Sequence, residues 1–99
     1  MIIVIGHATA SEGTQEEANR LALEHVRRSR TEPGCLSHEV SRDLENAQRL
    51  VFIEKWTDMQ ALQAHFRVPE SRAFVRAMER LTDGNVGMTL HQVEPTPAP

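Results

Sequence analysis

The sequence predicts an α+β domain of order βαββαβ, in which one antiparallel sheet carries its helices on a single face. Three observations predict it. Apolar, β-branched runs open the chain at Ile2 and recur around Leu50 to Ile53. Threonine-led helix starts stand at Thr14 and Thr57. Turn residues separate these segments at the spacing that short connections need.

Residues 2–9 are apolar or β-branched at positions of both parities, which reads as a strand buried on both faces. Ser11, Glu12 and Gly13 break it. Thr14 and Glu17 form a capping box, and Ala18, Leu21, Ala22, His25 and Val26 follow at helical spacing, so the first helix is expected here. Glu16 and Glu17 open this helix and Arg27, Arg28 and Arg30 close it, an order the helix dipole favours without any ligand. Glu32-Pro33-Gly34 stops it, because the residue before proline leaves the α region and glycine accepts positive φ.

Residues 35–42 and 48–56 read as the second and third strands, an antiparallel hairpin joined by the polar stretch 43–47. Thr57-Asp58-Met59-Gln60 repeats the capping signature, and Met59, Leu62, His65 and Phe66 then share a face. Val68-Pro69 interrupts before Phe74, Ala77, Met78 and Leu81 resume the helical period, giving one kinked helix or two short ones. Asp83-Gly84-Asn85 is a turn and 87–93 a fourth strand. Residues 1–94 are thus expected to form one domain, with 95–99 as a proline-rich tail.

This is the ferredoxin-like split βαβ order. Two helices cover only one face of such a sheet. Yet Ile2, Ile3, Val4 and Ile5 on the first strand, and Leu50, Val51, Phe52 and Ile53 on the third, are apolar on both. A homodimer is therefore expected, packed sheet against sheet and partly closed into a dimeric α/β barrel.

Composition narrows the function. With 11 basic and 14 acidic residues the net charge is -3, without the positive footprint of a nucleic-acid binder. Arg49-Leu50-Val51-Phe52-Ile53 lacks the glycine and stacking aromatics of an RNA-recognition motif, which shares this element order, so no nucleic-acid partner is expected. Gly6-His7-Ala8-Thr9 likewise lacks the phosphate loop of an acylphosphatase. A single cysteine, Cys35, excludes a disulfide framework and Cys-rich metal sites and suits the cytoplasm. The opening MIIVIGHATA has no basic region and only a short apolar run, so neither a signal peptide nor a membrane association is expected. The 5 histidines show no His-x-His or H-E-x-x-H spacing, and no metal or other cofactor is expected.

Glu32-Pro33-Gly34-Cys35 before the second strand, Phe52-Ile53-Glu54-Lys55-Trp56-Thr57-Asp58 running into the second helix, and His65 beyond Trp56 together resemble the antibiotic biosynthesis monooxygenase family. The resemblance spans about residues 2–94 and implies small dimeric α+β barrel proteins, quinol monooxygenases among them. Members acting on aromatic polyketides combine a third-strand Trp with an Asn before it and a Tyr and an Arg after it. Trp56 and Arg76 match that pattern, whereas Phe52 and Leu62 stand in place of the Asn and Tyr. Haem-degrading relatives carry a ligating His near the position of Val75, which this chain lacks. Relatives that process a sugar-derived quorum-sensing signal share a His at the His65 position, which implies keto–enol isomerisation as an alternative.

An electron-rich hydroquinone reacts with oxygen without metal or flavin once it is deprotonated, so such chemistry needs a base and an apolar, water-poor cavity. His65, beside Leu62 and Phe66 on the face turned to the sheet, is the candidate base. Trp56 is expected to give the pocket a flat wall, and Arg76 to stabilise a phenolate or carbonyl oxygen. His7 and His38 lie on the first two strands, where register decides whether they line the cavity or face the dimer contact. His25, near Leu21, reads as structural, and Cys35 as a buried, inert thiol. The expected function is a cofactor-independent monooxygenase acting with O2 on a quinol-like or polyphenolic small molecule. The alternatives are a keto–enol isomerase or other proton-transfer enzyme on a small carbonyl compound, and a non-catalytic small-ligand-binding module.

Overall fold

A computed structural model describes residues 1–99. Its elements follow in the order β1 (Ile2–Thr9), α1 (Gln15–Ser29), β2 (Cys35–Asp43), β3 (Asn46–Trp56), α2 (Met59–Arg67), α3 (Pro69–Leu81) and β4 (Val86–Gln92). The strands form one antiparallel sheet in the order β2-β3-β1-β4, the ferredoxin-like arrangement expected from the sequence. The interruption at Val68 makes two helices rather than one kinked helix. Val68 ends α2 in an extended conformation, as a residue before proline prefers, and Pro69 opens α3 where its missing N–H costs nothing.

Local chemistry differs from expectation at three joints. The stretch 43–47 is mostly strand, closed by a turn at Leu44 and Glu45 in which Asp43 Oδ1 accepts the Glu45 N–H at 2.8 Å. Thr14 does not cap α1. Its hydroxyl lies 2.7 Å from the Leu81 carbonyl and 2.9 Å from that of Ser11, tying the start of α1 to the end of α3. The cap of α2 is Asp58 rather than Thr57, its Oδ1 accepting the Ala61 N–H at 2.8 Å.

Strand register sorts the side chains between two faces. Val4, Gly6 and Ala8 of β1 stand opposite Glu54, Phe52 and Leu50 of β3 on the face that the helices cover. Ala18 and Ala22, fully buried, let α1 approach that face, where Val26, Leu50, Phe52, Met78 and Leu81 complete the larger core cluster. Ile2, Val4, Trp56 and Leu62 form a smaller one. Glu54, between Phe52 of the first cluster and Trp56 of the second, begins a polar seam of buried side chains that includes His25, His38, His65 and Ser71.

The opposite face carries Ile5 against Ile53, 46% and 43% exposed in the single chain, flanked by Ile3 and Val51. β1 and β3 are therefore apolar on both faces, as their sequences indicate. Residues 93–99 add no helix or strand. No helix is long and apolar enough to cross a membrane.

The loop between α1 and β2 is pinned to the start of α2. Gly34 adopts φ +82°, and a Cβ there would fall 2.5 Å from the Ala61 Cβ and 2.8 Å from the Thr57 hydroxyl. Its carbonyl accepts the Thr57 N–H at 2.9 Å. This close approach sets Glu32, two residues earlier, against the α2 helix.

Candidate active site

A cavity of about 550 Å³ lies between α3 and the strands β1, β3 and β4. The space exists because β1 presents only Gly6 and Ala8 to the helices at this point. Phe52, Phe66, Phe74, Val75, Met78 and Met88 make most of the lining apolar, while Arg72 and Arg76, one turn apart on α3, contribute exposed guanidinium groups. Glu54, His65 and His25 supply the buried polar groups at its floor.

Those floor groups are connected. His65 Nδ1 lies 2.8 Å from Glu32 Oε1, and Arg28 holds the other oxygen of the same carboxylate at 2.9 Å. A carboxylate only accepts, so the proton of a neutral His65 ring sits on Nδ1 and the Nε2 lone pair remains free. That Nε2 stands 3.9 Å from Glu54 Oε1. The Trp56 indole N–H donates to the same Glu54 oxygen at 2.9 Å. His38 Nε2 approaches it to 3.2 Å but lacks hydrogen-bond geometry. Burial alone would raise the Glu54 pKa; the close His38 ring, the Trp56 indole and His65 outweigh it and hold the carboxyl below its ordinary value.

His25 closes the group on the α1 side. Its ring stacks on Phe74 with centroids 4.0 Å apart, and its Nδ1 lies 2.8 Å from the Arg28 guanidinium. Burial, then the neighbouring His38, His65 and Arg28, push its pKa down to about 2, so the ring is neutral. Arg28 donates to Nδ1, which places the His25 proton on Nε2. One ring nitrogen from each of His25, His38 and His65 falls within 4.8 Å of the others, a grouping that can hold a metal ion. Burial, with Glu32 and Glu54 beyond it, pushes the Cys35 thiol up and disfavours its thiolate.

The residues expected from the sequence fall into different places. His65 is on the cavity floor, 3% exposed, and Arg76 lines the cavity from α3. Trp56 does not form the expected wall. It is fully buried in the smaller core cluster and stands behind Glu54, because its strand runs past the cavity before reaching it; Phe52, Phe66 and Phe74 offer the aromatic surfaces instead. His38 neither lines the cavity nor faces the open side of the sheet. A one-residue irregularity between Cys35 and Ser37 turns it inward, opposite Glu54. His7 borders the cavity at the β1–β4 edge, but it shares its parity with Ile3 and Ile5, and its Nε2 covers Gly87, where a Cβ would come within 2.7 Å of it.

Sequence reasoning missed Glu32, Glu54, His25 and Arg72. Glu54 left a signal, a carboxylate at the same strand parity as Phe52 and Trp56. His25 left one too, since it falls with Ala18, Ala22 and Val26 on the buried stripe of α1. Glu32 left only its place in a helix stop and in the Glu32-Pro33-Gly34-Cys35 motif, neither of which points to His65.

The chain resembles proteins whose sequences or structures are known. It is 32% identical over 74 residues to the uncharacterized protein sll1783 of Synechocystis, an alignment covering 75% of this chain. The chain spans about half the length of that curated relative, 50%. A crystal structure from Deinococcus radiodurans, provisionally named an antibiotic biosynthesis monooxygenase, superposes with a TM-score of 0.91 at 25% identity, covering 99% of this chain and 97% of that one. PA3566 from Pseudomonas aeruginosa superposes at 0.85 with 29% identity, covering 95% and 94%. The family model for antibiotic biosynthesis monooxygenases matches residues 1–77, which span β1 through most of α3 and therefore Glu32, Glu54 and His65. The chain belongs to the antibiotic biosynthesis monooxygenase family.

Proposed function

We propose that this protein is a cofactor-independent monooxygenase that oxidises a quinol-like or polyphenolic small molecule with O2, using His65 as the base. The observation that carries this reading is the free Nε2 of His65 at the floor of a largely apolar cavity, its ring held through Nδ1 by Glu32.

A phenolic hydroxyl entering the cavity gives its proton to His65 Nε2. The new imidazolium lies between the carboxylates of Glu32 and Glu54, which stabilise its charge. The phenolate left behind is rich enough in electrons to reduce oxygen directly. One oxygen atom enters the ring and the other leaves as water with two hydrogens from the substrate. Arg72 and Arg76 offer donors to the phenolate oxygen, and the phenylalanine-rich lining gives the aromatic ring an apolar surface to pack on.

Proton transfer within a small carbonyl compound is the second reading. It is favoured by the two acceptors, His65 Nε2 and Glu54 Oε1, standing 3.9 Å apart at one point of the cavity. Oxygen dependence separates the two. A second copy of the chain on the open face of the sheet completes the proposal, since Ile5 and Ile53 present a contiguous apolar contact there.

The test is oxygen uptake by metal-stripped protein mixed with benzo- and naphthohydroquinones, against a protein-free control for autoxidation. Protein-dependent uptake that collapses in His65→Ala is the expected result. Uptake equal to the control across the panel overturns the monooxygenase reading, and uptake unaffected by His65→Ala overturns the choice of base.

A further inference from the structure

We propose that His25, His38 and His65, with the carboxylate of Glu54, form a binding site for one divalent first-row transition metal ion of the zinc class. The three histidines come from α1, β2 and α2, and one ring nitrogen of each lies within 4.8 Å of the others. All are buried.

His38 carries the argument. It is fully buried, and neither ring nitrogen has a hydrogen-bond partner. A neutral imidazole always has one N–H and one lone pair to satisfy, and native interiors seldom leave both unmatched. Its Nε2 and that of His65 converge on one oxygen, lying 3.2 and 3.9 Å from Glu54 Oε1. Ligand atoms bonded at about 2.0–2.1 Å to a tetrahedral ion are roughly 3.3 Å apart. The His38–Glu54 pair is already at that separation, and His65 has about half an ångström to close.

The surroundings suit a metal-bound imidazole. Glu32 holds His65 Nδ1 at 2.8 Å, the arrangement by which a carboxylate behind a ligating histidine fixes its ring and directs the other nitrogen at the ion. Glu32 and Glu54 outweigh the one guanidinium that touches a side chain of the group, that of Arg28, while Arg30 bonds only the backbone carbonyl of His38 at 2.9 Å. His25 joins last, because Arg28 donates to its Nδ1 and so keeps the proton on Nε2. Arg28 also bonds Glu32 and Ser71, so it remains partnered when it releases His25, whose proton then moves to Nδ1 and exposes Nε2. Nitrogen ligands with one carboxylate select zinc, cobalt, nickel, copper or ferrous iron over magnesium and calcium. Where His65 is the base, a point that rests on the function proposed above, the ion takes the same lone pair and suppresses turnover.

Untagged, metal-stripped full chain is titrated with Co2+ and then Zn2+. One equivalent of Co2+ per chain is expected, with the visible ligand-field absorption of a low-coordinate site, displaced by Zn2+. His38→Gln and His65→Gln each weaken binding at least tenfold, and His91→Gln, on the exposed face of the sheet, leaves it unchanged. Circular dichroism checks each fold; if His38→Gln unfolds, Glu54→Gln carries the test with the same expected loss. Absence of stoichiometric uptake, or uptake that none of these buried variants weakens, overturns the site and leaves His38 to a buried water. Cobalt absorption is read without turnover, so full oxygen uptake by the loaded protein would instead refute His65 as the base.

Discussion

Glu32 and His65 are 33 residues apart in the chain and meet at 2.8 Å, carboxylate oxygen to ring nitrogen. The contact exists because Gly34 lets the loop before β2 press against α2. It decides which nitrogen of His65 is free. In Glu32→Gln the side-chain amide can donate as well as accept, so the tautomer is no longer imposed. Oxygen uptake is expected to fall at least about tenfold in this variant with the fold retained by circular dichroism. Unchanged turnover would mean that the pairing only supports the fold.

Trp56→Phe separates the core from the cavity. The substitution keeps a ring in the smaller cluster but removes the N–H that bonds Glu54 at 2.9 Å. Leaving a buried carboxylate oxygen short of a donor costs about 1–3 kcal/mol, so the thermal midpoint should drop by several degrees. Hydroquinone affinity, read by fluorescence-independent calorimetry, should change little. A large loss of affinity without a loss of stability would put Trp56 back in the wall.

Acid destabilises the metal-free protein through His25. Its pKa is about 2 in the fold against 6.5 for the free side chain, so below pH 6.5 the unfolded chain binds the extra proton and stability falls as pH falls. The slope approaches tenfold in the folding constant per pH unit. Glu54, held below its ordinary value, acts in the same direction: its contribution is present above the normal carboxylate range and is lost as pH falls through its folded value. His25→Phe keeps the stack on Phe74 and should flatten the decline between pH 6.5 and 5 in urea titrations. A decline of unchanged steepness would assign it to other groups.

Ile53 tests the open face. Opposite Ile5 and 43% exposed in the single chain, it should tolerate Ile53→Lys with little effect on the fold of one subunit, while the charge prevents sheet-to-sheet contact. Light scattering is expected to show the parent chain as a dimer and the variant as a monomer at micromolar concentration. A monomeric parent chain would remove the dimer.

Element order, the helix break at Val68-Pro69 and the double-sided apolarity of β1 and β3 were legible in the sequence, because each depends on neighbours within a few residues. So was the placement of His65 under its helix, since Leu62 shares its face. The polar seam was not. Its members enter from α1, β2, β3, α2 and α3, and the Glu32 that holds His65 from the loop after α1, so no local spacing announces them.

His38 shows the division most clearly. Simple alternation from Cys35, which pairs with the inward-facing Trp56, assigns His38 to the open face. The irregularity at Leu36 shifts the register by one residue and turns the ring inward onto Glu54. Local pattern thus determined which elements form and which faces are apolar. Only tertiary packing decided which buried polar groups meet, since a side chain's partner depends on register and on helix placement, and both are set by the whole core at once.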